Sequence, residues 1–203
     1  MILALDTSTA ACTAALFADD GSLVDSRDEV IGRGHAERLV PMIEELLAGR
    51  RASRIIVGCG PGSFTGLRVG IAAAHGLAIG WNAELTGMSS LALLAARAGS
   101  ADPVAAAVSG GHGELFVQEF SPDPMTPTGP LLNLAPGPAA AAVRAHLVVG
   151  SGAVALVAAR GYGSAVDLLP SAAAALHLPA VLRSLTPEPV YARAPDARPK
   201  AAA

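Results

Sequence analysis

The sequence is poor in charge, in aromatics and in cysteine, and each shortage removes a class of function. Charged residues make up 15% of its 203 positions, and only one of the 14 basic residues is a lysine, Lys200. The single basic cluster is Arg50-Arg51 with Arg54, in a turn after a helical pattern. A protein that grips RNA unaided carries a basic stripe, because phosphate contacts supply most of the affinity. With net charge -3 and scattered cations, this chain would reach RNA only through a partner. The two cysteines, Cys12 and Cys59, lie in apolar strand-like segments, which excludes a disulfide scaffold and fits reduced core thiols. No apolar run reaches the roughly 20 residues of a membrane-spanning helix; the longest, Val69 to Trp81, is interrupted by His75 and glycines. The start, Met1-Ile2-Leu3-Ala4-Leu5, is a strand pattern with no basic stretch or small-residue cleavage site, so a cytoplasmic location is expected.

Catalytic signatures are also scarce. The five histidines are dispersed, and His35 has Leu39 where a helical metal site wants a second His. No G-x-S-x-G surrounds any serine. Neither a catalytic residue nor a metal ligand set is expected of this chain alone.

What remains is a hydrophobic fraction of 52% with only 3% aromatics. Such a core depends on close backbone contacts, with helices lying tightly on sheets. The chain reads as an α/β protein of two lobes, 1–100 and 101–203. Strands are expected at 2–6, 12–18 and 23–30 with Asp20-Gly21 as a tight turn. A helix follows over 35–48, with Leu39, Met42, Ile43, Leu46 and Leu47 at helical spacing. A strand at 54–59, a helix at 65–81, a strand at 84–88 and a helix to Arg97 complete the first half. The second half restarts at Val104 with strands at 104–108 and 114–120. After these come an irregular proline-rich loop over 121–138 and short Ala-rich helices around 137–146, 151–160 and 171–178, with a strand at 147–149. From Pro187 the tail is expected to lie across the surface.

The most informative segment runs from Gly58 through Gly60-Pro61-Gly62-Ser63-Phe64-Thr65-Gly66-Leu67-Arg68 to Gly70. Its strand–glycine–helix order offers backbone N–H groups to an anion, with Gly60, Pro61, Gly62, Ser63 and Thr65 as candidate phosphate contacts. It matches neither the dinucleotide G-x-G-x-x-G pattern nor the P-loop. A tight turn against a neighbouring strand accounts for the glycines equally well. Asp6-Thr7-Ser8-Thr9 can hold a hydrated metal and phosphates, or form a hydrogen-bonded turn without any ligand. On the helix that follows, Gly66, Gly70, Ala73, Leu77 and Gly80 share one face, with Arg68 and His75 on another stripe. A helix apolar almost all round is buried on more than one side. That points either to a subunit contact or to a helix sandwiched inside one domain.

Three blocks carry a family resemblance: Ile2 to Ser8, His35 to Ile43, and Gly60 to Gly70; Pro189 to Arg193 adds a C-terminal one. Together they resemble the TsaB (YeaZ) family. The resemblance implies the two-lobed actin-like fold of sugar kinases and heat-shock ATPases. It also implies a non-catalytic partner role beside TsaD, which carries the metal and transfers a threonylcarbamoyl group to the adenosine next to the tRNA anticodon. TsaE would join them, tRNA would be met only through the complex, and the isolated chain would form a homodimer. The partner surface would include His35, Leu39, Met42, Leu46, Gly66, Arg68, Gly70, Ala73, His75 and Leu77. The chain would have no cofactor of its own, with ATP or ADP and Mg at a shared interface touching Asp6, Thr7 and Ser8. At the second-lobe strand, Ser109-Gly110-Gly111 stands where the family reads Asp-Ala-Arg. Competing readings are an independent ATPase or small-molecule kinase, which needs that missing Asp, and a metallopeptidase, which needs the missing histidine.

Overall fold

The computed structural model describes residues 1–192, so Arg193 of the C-terminal block lies outside the described residues. The first lobe opens with three antiparallel strands, β1 (Ile2–Asp6), β2 (Ala11–Phe17) and β3 (Leu23–Val30). The β2–β3 turn is closed by the Asp20 carboxylate, which accepts from the N–H and hydroxyl of Ser22 at 2.9 and 2.7 Å. Helix α1 (His35–Leu47) leads to β4 (Arg54–Gly58), α2 (Phe64–Trp81), β5 (Glu84–Met88) and α3 (Ser90–Ala98). The sheet order is β3-β2-β1-β4-β5, with β4 and β5 parallel to β1.

The second lobe repeats this plan. Strands β6 (Val104–Ser109), β7 (Leu115–Pro122) and β8 (Met125–Pro127) form an antiparallel meander, and β10 (Leu147–Val149) and β11 (Ser164–Val166) extend it in parallel. Its order, β8-β7-β6-β10-β11, has the same connectivity as the first sheet, with β9 (Leu132–Leu134) added on β7. The two-lobed actin-like architecture is thus a structural duplication with no visible sequence repeat.

Strand alternation sorts the layers. Leu3, Leu5, Cys12, Ala14 and Leu16 pack under α1 and α2 with Leu39, Met42 and Leu46. Ile2, Ala4, Ala15 and Phe17 face the other way, onto α3 and a 3₁₀ segment, Ala172–His177. The same central layer receives Val104, Ala106, Val108 and Phe120 of the second sheet. On that sheet's outer face lie α4 (Pro136–Ala142) and α5 (Ala153–Arg160). Residues Leu91 to Leu94 of α3 are 0% exposed, as a helix between two sheets must be.

Two expectations are corrected. Residues 121–138 are not an irregular loop: they hold β8, β9 and the start of α4. Prolines there suit an edge strand, where the missing N–H is not needed by a further neighbour. The lobes also do not divide cleanly at residue 100. The Ala172 N–H donates to Thr13 Oγ1 (2.8 Å), Leu185 pairs with Gly87, and the Val190 N–H donates to the Cys59 carbonyl (2.8 Å). Residues 172–190 therefore return to finish the first lobe. Strand β11 and α6 (Ala180–Arg183) are too short to leave a periodic signal.

Candidate functional site: the glycine loop and the interlobe cleft

The loops at the carboxyl ends of β1 and β4 meet beneath the start of α2. Asp6 is 0% exposed and accepts three bonds: the Ser8 N–H at 2.8 Å, the Ser8 hydroxyl at 2.7 Å and the Ser90 hydroxyl at 2.5 Å. The Ser90 oxygen in turn accepts the Gly60 N–H at 3.1 Å. Burial pushes the Asp6 carboxyl above the usual carboxylate range, partly offset by the bonds from Ser8 and Ser90 and by the charge of His35. Thr7 donates its hydroxyl to the Gly66 carbonyl at 2.7 Å, and the Ser8 carbonyl accepts the Ser63 N–H at 2.7 Å. Ser63 caps α2 by accepting the Gly66 N–H at 3.2 Å.

This network changes the role of several expected site residues. Asp6 is not presented to a metal or phosphate; its three acceptor bonds stay inside the protein. Thr7, Gly60 and Pro61 are buried with it, while Thr65 is exposed and outside the cleft. Only Ser8, Gly62 and Ser63 of the expected phosphate set line the cleft.

Six residues of the expected partner surface, His35, Leu39, Met42, Leu46, Gly66 and Gly70, are buried within the chain. His35, Leu39, Met42 and Leu46 face their own sheet, with Leu39 and Met42 at 0% exposure. The His35 Nε2 lies 3.1 Å from the Ala11 carbonyl oxygen. Gly66 and Gly70 meet Thr7 of the same chain rather than another subunit. Ala73 and Leu77 are half-buried against the α1–α2 core. Arg68 and His75 are exposed and hold the C-terminal segment: Arg68 Nε donates to Tyr191 Oη at 3.2 Å, and His75 Nε2 lies 3.4 Å from the Pro187 carbonyl. The outward face of α2 runs through Arg68, Ala72, His75, Gly76, Ile79 and Gly80. Ile79 is 83% exposed there.

Between the lobes lies a cleft of about 700 Å³. Its first-lobe wall includes Ser8, Thr9, Gly62, Ser63, Phe64 and Leu67; its second-lobe wall includes Val108, Ser109, Gly110, His112, Phe116 and Ser151. Val190 to Ala192 also line it. Ser109, at the position of the absent Asp, is paired with Ser151: its N–H donates to Ser151 Oγ and its hydroxyl to the Ser151 carbonyl, both at 3.1 Å. No Asp, Glu, Lys or Arg lines the cleft among the described residues. Burial raises both thiols, Cys12 and Cys59, to about 11, so neither is a ready nucleophile.

Sequence reasoning missed Ser90, Phe64, Phe116, Ser151 and Tyr191. Ser90 opens α3 behind the Ser89 cap, and the others gain meaning when the lobes face each other.

The model of the TsaD family, tRNA N6-adenosine threonylcarbamoyltransferase, matches residues 27–181. A crystal structure from Pseudomonas aeruginosa, described as similar to peptidase YEAZ, superposes with a TM-score of 0.81 at 34% identity, covering 95% of this chain and 99% of that one. The chain belongs to the TsaB (YeaZ) group of the TsaD family. A second YeaZ structure from P. aeruginosa gives a TM-score of 0.78 at 32% identity over 94% of this chain and 98% of that one. The Escherichia coli K12 tRNA threonylcarbamoyladenosine biosynthesis protein TsaB is 38% identical over 130 residues, 60% of this chain and 55% of that protein. The Haemophilus influenzae TsaB is 36% identical over 58% of this chain and 52% of its own length. The chain thus matches about half the length of these curated TsaB relatives.

Proposed function

We propose that the chain is a non-catalytic partner subunit in tRNA threonylcarbamoyladenosine synthesis, binding and activating a TsaD-type transferase. The observation that carries this reading is the state of the positions where catalytic relatives need ligands. Leu39 lies in the core, Ser109 is locked to Ser151, and Asp6 is held within its own network. No group of three or more His, Cys, Asp or Glu side chains is placed to share a metal among the described residues. The curated names of the relatives support the pathway. TsaE would join the pair, tRNA would be contacted through the complex, and an adenine nucleotide with Mg would sit at a shared interface. No helix among the described residues is long and apolar enough to cross a membrane, and a cytoplasmic location accords with tRNA modification.

The partner face is the outward stripe of α2. Ala72, Gly76 and Gly80 let a second helix approach closely, and Ile79 supplies an apolar anchor. The same stripe joins two copies of the isolated chain. Ile79→Glu should leave the melting temperature close to that of the parent, because surface changes stay within about 0.5 kcal/mol. It should nevertheless weaken association with the transferase by at least about tenfold, since a charge would be desolvated at the contact. Sedimentation of the mixed proteins, and tRNA modification reconstituted with and without this chain, check both halves. Full modification without the chain would remove the proposal.

A further inference from the structure

We infer that residues 185–191 are a releasable strap, latched at Tyr191, whose local opening uncovers Cys59 and frees two side chains of α2 while both sheets stay folded. Core packing does not account for this segment. From Arg183 to Ala192 no residue is buried, and the last buried side chain before it is Leu182. Its backbone is also lightly held. Leu185 pairs with Gly87 on the outer edge of β5, with bonds of 2.7 and 3.0 Å. The ladder stops there, because Pro187 and Pro189 have no N–H to donate. Further on, the Val190 N–H donates to the Cys59 carbonyl at 2.8 Å. A segment with few backbone bonds and no buried apolar side chain opens at low cost compared with the core.

Side chains supply the latch. The Tyr191 ring packs on Phe64 with centroids 5.3 Å apart, and its Oη accepts from Arg68 Nε at 3.2 Å. The same guanidinium lies 3.5 Å over the Phe64 ring, so Arg68, Phe64 and Tyr191 form one closed cluster. His75 Nε2 adds a contact to the Pro187 carbonyl at 3.4 Å. Between these holds the strap crosses Cys59, whose Sγ lies 3.6 Å from the Thr186 carbonyl oxygen. Cys59 is 0% exposed, and burial holds its thiol at about 11. With the strap away, the thiol would meet water and return toward about 8.5. Arg68 and His75 stand on the outward face of α2, so whatever engages them shifts the strap between its two states. The latch itself does not rest on the partner role proposed above, and its test uses no partner.

Iodoacetamide labelling of the native full chain, read at each cysteine by mass spectrometry, supplies that test. Cys12 is the internal control: it is buried in β2, which β1 separates from β4. Tyr191→Ala should speed Cys59 labelling about tenfold, with Cys12 still slow and the melting temperature near that of the parent. Arg68→Ala should do the same. The double variant should add little to either single one, as members of one latch do. Cys59 labelling at the parental rate in either single variant, multiplied rates in the double, or equal acceleration of Cys12 would each overturn the inference. Should Tyr191→Ala fail to fold, Arg68→Ala alone decides between these outcomes.

Discussion

Gly66→Ala is expected to destabilise the protein by about 4 kcal/mol, near the top of the range for single substitutions. Helix propensity alone points the other way: Ala is favoured over Gly by about 1 kcal/mol inside a helix. Gly66 is in the first turn of α2, so a favourable sign is the naive expectation. The geometry reverses it. A methyl at Gly66 would overlap the carbonyl oxygen of Thr7, which is backbone held at the end of the buried β1 strand and cannot rotate aside. The overlap would push α2 off the β1–β2 loop and break the Thr7 hydroxyl bond to the Gly66 carbonyl. Gly80→Ala is the control. It lies in the same helix with nothing within 4 Å of the added carbon, and should stabilise slightly through propensity. Chemical denaturation of the two variants beside the parent gives opposite signs; a stable Gly66→Ala protein would mean that the close approach is not required.

Asp6→Ala is the second large effect, about 3 to 4 kcal/mol. It removes the acceptor of the Ser8 N–H, the Ser8 hydroxyl and the Ser90 hydroxyl in a fully buried site. Each buried donor left without a partner costs about 1 to 3 kcal/mol, reduced where the cavity relaxes or admits water. Asp6→Asn separates shape from charge. Burial holds the native carboxyl pKa above its unfolded value, so between those two values the folded state binds more protons than the unfolded one. Stability from Asp6 is therefore fully present below the unfolded pKa and falls as pH rises through the raised native value. The asparagine variant lacks this titration. The stability difference between parent and Asp6→Asn should thus shift in favour of the parent on acidification across that window. A difference independent of pH would show that Asp6 is not held in this way. Other carboxylates act oppositely: hydrogen bonds from Arg38 lower Glu29 and Glu45, which is why the comparison must be made between variants.

The parts of the fold that were legible are those with long or strongly marked patterns. The β1–β2–β3 meander followed from apolar runs and the Asp20-Gly21 turn, and α1 followed from the Leu39-Met42-Ile43-Leu46 spacing. The tripartite family pattern sufficed for the two-lobed architecture. Where the reading failed, the cause was tertiary. The small-residue face of α2 did signal a close backbone approach, but Gly66 and Gly70 receive Thr7 of the same chain. No pattern within the helix distinguishes an internal visitor from a partner. Asp6 was equally ambiguous: a carboxylate among hydroxyls looks the same whether it faces a ligand or Ser90, which lies 84 positions away. The cleft was invisible for a related reason, since Phe64, Phe116 and Tyr191 share no local segment. Residues 121–138 failed differently, because prolines read as loop signals are permitted on the β8 edge.

The return of residues 172–190 to the first lobe has a consequence for the order in which the molecule is made. Chains generally fold domain by domain as they leave the ribosome, the N-terminal part first. Here the inner face of the first sheet is covered by Ala172, Ala174 and Ala175, and the loop after β4 is fastened by Val190. A nascent chain that has emerged only through α3 still shows the ribosome surface and its chaperones an unfinished apolar face. It closes that face only once residues 172–190 have emerged. The protein is therefore one cooperative unit in time as well as in space, and fragments cut between its two sheets should behave as unfinished chains rather than as small domains.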